Sequence, residues 1–129
     1  MHRILFTILV AINLVGCKPS DTAPGKAQFV FVRIPEQILP VERGAKYEDP
    51  LDAALKKERV GEVSGGGTQL SAPDANGKKS IEWVGVDVVL SDFDQGMPIL
   101  KRELLRLSAP PATVLEYTRN GREIEEKLR

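Results

Sequence analysis

Few side chains in this 129-residue chain are equipped for covalent chemistry. There is one cysteine, Cys17, and one histidine, His2. A thiol or hydroxyl nucleophile needs a nearby base or positive group to activate it. The only imidazole and the only thiol both lie in the first 17 residues, so their availability depends on the fate of that segment. Elsewhere the oxygen chemistry is weak. In "SDFDQG" (91–96) the further spaced carboxylates and the closing glutamate of a calcium loop are missing, so Asp92 and Asp94 read as helix caps. "NGKKS" (76–80) lacks the upstream glycine of a phosphate loop and leads into a strand instead of a helix. Glu82 and Asp87 fall on opposite faces of one strand and make no acid–base pair. Glu36, Glu42, Glu48 and Asp49 crowd one stretch beside Arg43 and Lys46. That stretch reads as a solvated mixed-charge loop, or alternatively as a loop that docks a partner. These spacings predict no catalytic residue, no metal and no cofactor.

The N-terminal segment explains the cysteine. Arg3 precedes an apolar run from Ile4 to Ile12 broken only by Thr7, and small residues follow. This is the pattern of a secretory signal, and it is shorter than the roughly 20 apolar residues of a membrane-spanning helix. Leu14-Val15-Gly16-Cys17 resembles the lipobox of bacterial lipoprotein precursors. That resemblance covers residues 1–17 and implies cleavage before Cys17, a diacylglycerol on its sulfur and acylation of its new amino group. It implies a membrane partner through the lipid, since several acyl chains anchor stably where one is marginal. Lys18, where an aspartate would favour inner-membrane retention, points to the outer membrane facing the periplasm. Processing at this site would remove His2 and cap the thiol. Ser–His and Cys–His catalysis and histidine–cysteine zinc sites would then be unavailable. Carboxylate, lysine or tyrosine chemistry would remain, or an oxygen-lined cation site.

The expected organisation is a signal peptide over 1–16, a tether over 17–26 rich in Pro, Ser and Gly, and one α+β domain over 27–129. With 18 basic and 18 acidic residues the charge is balanced, so no nucleic-acid partner is indicated. The domain loosely resembles small uncharacterised bacterial α+β domains, which bring no activity with them.

Periodicity places the elements. "AQFVFVRIP" (27–35) alternates as a strand, with Val30, Val32 and Ile34 on one face. A loop is expected over 36–49. A helix follows, with Asp49 as N-cap, Pro50 at its first position and a stripe of Leu51, Ala54 and Leu55. "EVSGGGTQL" predicts a glycine-broken strand, its glycines allowing a bulge or a close backbone approach. "SIEWVGVDVVLSD" (80–92) predicts the strongest strand, with Val84, Val86, Val88 and Leu90 inward and Ile81, Trp83, Gly85, Asp87 and Val89 outward. The next helix is capped by Asp92 or Asp94, and Pro98 favours Asp94. Its inward face is Met97, Leu100, Leu104 and Leu107. "TVLEYT" (113–118) is a fourth strand. Asn120-Gly121 marks a tight turn, and "REIEEKLR" returns as a short edge strand. The order predicts a ferredoxin-like βαββαβ sandwich: an antiparallel sheet with two helices on one face.

In that topology the first and third strands are central neighbours, which brings Phe29, Phe31 and Arg33 beside Trp83 and Asp87. Arg33 is expected to approach the Trp83 indole. This face is either covered by the 36–49 loop or the C-terminal segment, or open as a protein-binding surface. The leading expectation is a non-catalytic, lipid-anchored binding module with a protein partner, immunity-like in size and anchorage. The alternatives are a structural lipoprotein of an envelope assembly that uses its edge strands, and a carboxylate-based enzyme.

Overall fold

The computed structural model describes residues 27–129. Signal and tether residues, including Leu14, Val15, Gly16 and Cys17, lie outside the described residues. Five strands form one antiparallel sheet: β1 (Gln28–Ile34), β2 (Gly61–Leu70), β3 (Ile81–Leu90), β4 (Val114–Arg119) and β5 (Arg122–Lys127), in the order β2-β3-β1-β4-β5. The α+β class and the central β1–β3 pairing are as expected. The C-terminal edge strand is also as expected, but it pairs along all of β4, so the sheet is five-stranded and not the four-stranded ferredoxin-like one. The two-residue turn at Asn120 (φ 53°) and Gly121 (φ 78°) folds β5 back along the whole of β4, from Arg119↔Arg122 to Val114↔Lys127. Asn-Gly favours such turns because both central residues need positive φ.

The core lies between one sheet face and the helices. Val30, Val32, Ile34, Val84, Val86, Val88, Leu90 and Leu115 are fully buried against Tyr47, Leu51, Leu55, Leu100 and Leu104, with Met97 nearly so. Each such side chain contributes about 1.5–3 kcal/mol.

The predicted 36–49 loop is instead largely helical. α1 (Pro40–Arg43) runs into a π-helical turn over Gly44–Glu48 and on into α2 (Asp49–Lys57). Asp49 is therefore inside a continuous helical run (φ −63°, ψ −50°) and caps nothing. The true start is at Leu39, whose N–H donates to Glu42 Oε1 at 2.8 Å. Pro40 occupies the first position, where a missing N–H costs least. The widened π turn buries Tyr47 in the core. Its hydroxyl donates to Glu36, which also pairs with Lys46. Burial, then the hydrogen bond to Glu36 and its charge, push the Tyr47 hydroxyl well above its ordinary pKa, so it remains a donor.

The same turn lays Arg43 and Glu48, an ion pair, over Gly66 of β2, with Arg43 Nη1 2.8 Å from Thr68 Oγ1. A Cβ at Gly66 would lie 2.8 Å from the Gly85 carbonyl oxygen and 2.9 Å from Arg43 Nε. The glycine run thus permits the close approach, and a register shift follows between Val63 and Gly65.

A second shift, between Gln69 and Leu70, pairs Leu70 with Ile81 and leaves Glu82 as the extra residue. It turns Ile81 from its expected outward side to pack against the core. In α3 (Phe93–Arg106) the cap is Asp92, not Asp94, since Asp92 Oδ1 accepts from the Gln95 N–H at 3.0 Å. Pro98 is tolerated because it and Asp94, whose carbonyl it leaves without an N–H, are both exposed. Among the described residues, no helix is long and apolar enough to cross a membrane.

Asp52 ties α2 to β2. Its Oδ1 accepts the Val63 N–H at 2.9 Å, and Lys56 Nζ lies 3.0 Å from Oδ2. The backbone hydrogen bond first, and Lys56 second, hold its carboxyl below the usual 3.8. A depressed carboxylate stabilises the fold above its unfolded pKa and loses that contribution as pH falls through the folded one. Asp52→Asn keeps an acceptor but cannot titrate. Urea melts should show its stability changing less steeply below pH 3.8 than wild type. At neutral pH the loss should stay within about 1 kcal/mol.

Candidate functional site

The sheet face away from the helices collects the predicted site residues. Strand alternation places Phe29, Phe31 and Arg33 of β1 there, with Trp83, Gly85, Asp87 and Val89 of β3. Neither predicted cover reaches it. The 36–48 stretch packs on the helix side through Tyr47, and residues 122–127 extend the sheet edge as β5. Phe29 is 51% exposed. Phe31, Arg33, Trp83 and Asp87 are half-buried.

Gly85 sets the shape of this face. The Phe31 ring lies across it, so a Cβ at position 85 would come within 2.6 Å of Phe31 Cε1. From there Phe31 meets Trp83 edge to face, with ring centroids 5.8 Å apart at 77°. Such pairs add about 0.5–1.5 kcal/mol beyond their buried area. The expected stacking of Arg33 on Trp83 is absent. Arg33 lies opposite Gly85 and turns the other way, placing Nη1 3.1 Å from Glu116 Oε2 on β4. That contact is not aligned as a hydrogen bond, and Glu116 Oε2 is shielded from solvent without a hydrogen-bond partner.

Pairing also assembles residues that local sequence patterns did not single out. One row across the sheet reads Asp87, Phe31, Glu116 and Glu125. In the next row Glu123 lies opposite Thr118. Phe29, Phe31, Glu116, Thr118, Glu123 and Glu125 line a shallow groove of about 270 Å³. The only sequence signal for this arrangement was the Asn-Gly turn, which sets the β4–β5 register.

The face presents aromatic rings and carboxylates. Its groups are neither arranged as a nucleophile–base pair nor, among the described residues, gathered in any metal-holding group of three His, Cys, Asp or Glu.

No protein-family model matches the chain, and no curated protein matches it in sequence. Among solved structures, a phage SAM lyase in complex with S-methyl-5'-thioadenosine aligns with a TM-score of 0.45 and 11% identity. The alignment covers 81% of this chain and 92% of that one. A likeness this slight carries neither a fold assignment nor an activity across.

Gly85→Ala tests the construction of the face. The added methyl must displace Phe31, and the variant should lose about 1–3 kcal/mol of stability in urea melts. Trp83 is the only tryptophan, so its fluorescence should change as Phe31 leaves it. Unchanged stability and emission would mean that the ring does not rest on Gly85.

Proposed function

We propose that this chain is a non-catalytic, lipid-anchored lipoprotein of the bacterial envelope that captures a protein partner on its open sheet face. The observation that carries the surface is the half-exposed Phe29 beside Phe31 and Trp83 on a sheet face that no described segment covers. Aromatic side chains on such a face supply large contact area at low entropic cost. The anchor rests on the resemblance of Leu14-Val15-Gly16-Cys17 to a lipobox. On this reading the tether, residues 17–26, connects the lipid to β1, and an outer-membrane location facing the periplasm follows from Lys18. An immunity-like role, neutralising an incoming protein at the membrane, fits the small size and the anchor. We also read the fold as a βαββαβ core, β2-β3-β1-β4, widened by β5.

Mass analysis of the N-terminal peptide from the membrane fraction tests the anchor. It should begin at an acylated Cys17 and lack His2. An unprocessed chain with a free thiol would return the protein to a compartment where that thiol can react.

Incorporation of a photo-crosslinking amino acid at position 29 in intact cells tests the surface. One discrete adduct is expected, and Trp83→Ala should lower its yield about fivefold or more, as loss of a central aromatic contact does. The thermal melt must remain cooperative. Equal adduct yield in the folded variant would place the partner elsewhere.

A further inference from the structure

Charge on the two sides of β5 is handled differently. Glu126 faces the helices, where it pairs with Lys101 and accepts from the Tyr117 hydroxyl at 2.7 Å. Glu123 and Glu125 point to the open side, are exposed, and form no ion pair among the described residues. Glu125 also stands directly opposite Glu116 on β4. Like charges directly opposite on neighbouring strands destabilise a sheet. Glu116 forms one ion pair among the described residues, with Arg33, and retains a shielded oxygen without a hydrogen-bond donor. Asp87 adds a fourth carboxylate on the far side of Phe31. The register puts two cations on the same face, Arg33 and, opposite Val114, Lys127; against four carboxylates on a chain that is neutral as a whole, the face is locally negative. Two phenylalanine rings lie within it, one of them half-exposed.

Carboxylates around aromatic faces match one ligand chemistry, a cation with a flat or apolar body. A guanidinium can accept both the ring face and the carboxylate oxygens. We propose that the groove between β1 and β5 docks an arginine-rich, positively charged segment of the partner protein, with Phe29 and Phe31 as stacking surfaces and Glu116, Glu123 and Glu125 as its counter-charges. This rests on the open-face reading above and specifies what that face recognises.

The test uses the full-length chain purified from membranes in a neutral detergent. The probes are a blocked hexa-arginine peptide and its neutral hexa-citrulline counterpart, titrated by calorimetry at two salt concentrations. Hexa-arginine should bind and weaken as salt rises, because exposed charge contacts are screened. Hexa-citrulline should bind at least about tenfold more weakly, the scale of one lost charge-assisted contact.

Glu125→Gln should lower hexa-arginine affinity by a similar factor and raise the melting temperature, since it removes the repulsion from Glu116. A merely structural glutamate would not give opposite changes in binding and stability. Equal binding of the two peptides, or unchanged affinity in Glu125→Gln, overturns the inference. If citrulline binds as well as arginine and Phe29→Ala abolishes both, the face binds but not through charge, and only the basic partner is excluded. If neither peptide binds, the inference falls; the position-29 adduct then decides whether the surface falls with it. Sedimentation of the chain alone covers the remaining occupant. Self-association lost in Glu125→Gln would assign the groove to a second copy and overturn the proposal.

Discussion

The two-residue period of the central strand pair governs everything else in this domain. Val30, Val32 and Ile34 on β1, and Val84, Val86, Val88 and Leu90 on β3, are all fully buried. A slip of one residue in either strand would carry Arg33 or Asp87 into the core and the valines out. The fully apolar packing around the β1 and β3 core positions offers those charges no partner, so the register is set by what cannot be buried there. The open face is thus held in place by the apolar packing on its other side. That packing also explains how polar and aromatic groups of modest burial can keep fixed positions on a sheet surface.

Two close approaches then set the finer shape, each at a glycine. On the helix side, Gly66 lets the Arg43–Glu48 pair lie against β2. On the open side, Gly85 lets the Phe31 ring lie across it and meet Trp83 edge to face. The two sites are linked, because the Gly85 carbonyl is also the backbone atom nearest a side chain at 66. Bulk added at 66 would press on the Gly85 carbonyl and the Arg43–Glu48 pair, and bulk added at 85 on the Phe31 ring of β1.

Much of the fold was legible because it follows local rules. The alternation of β1 and β3, the stripe of α2 and the Asn-Gly turn each appear within a dozen residues. The stretch from Pro40 to Glu48 was misread as a loop for equally local reasons: it has a proline, a glycine and dense mixed charge, without an apolar stripe. Its helix is stabilised by side-chain contacts outside its own run, Tyr47 back to Glu36 and Arg43 across to Thr68 on β2. The reversal of Ile81 depends on a bulge between β2 and β3, and strand periodicity contains no signal for it. Four residues of the candidate site, Phe29, Phe31, Trp83 and Asp87, came from alternation. Three others, Glu116, Glu123 and Glu125, join it only once β4 pairs with β1 and β5 pairs with β4. Arg33 was expected at the indole and lies instead beside the Glu116 carboxylate on the neighbouring strand, as an ion pair.

The charge on β5 admits a simpler explanation, which the pairing pattern argues against. Edge strands commonly carry charge to deter pairing with other chains, and Glu123, Glu125 and Lys127 serve that end on an edge with free backbone groups. Edge protection, however, requires only charge; either sign suffices. A lysine at 125 would protect the edge equally well and would neutralise Glu116 opposite it. Position 126 shows that this chain does match charges where a face is closed, since Glu126 meets Lys101. On the open face an acid stands opposite an acid, so the strand pair is less stable than its sequence could make it. A repulsion kept on an exposed surface beside two aromatic rings is relieved by a positive group from outside. The cost in the isolated domain and the gain in a complex then arise from the same pair of carboxylates.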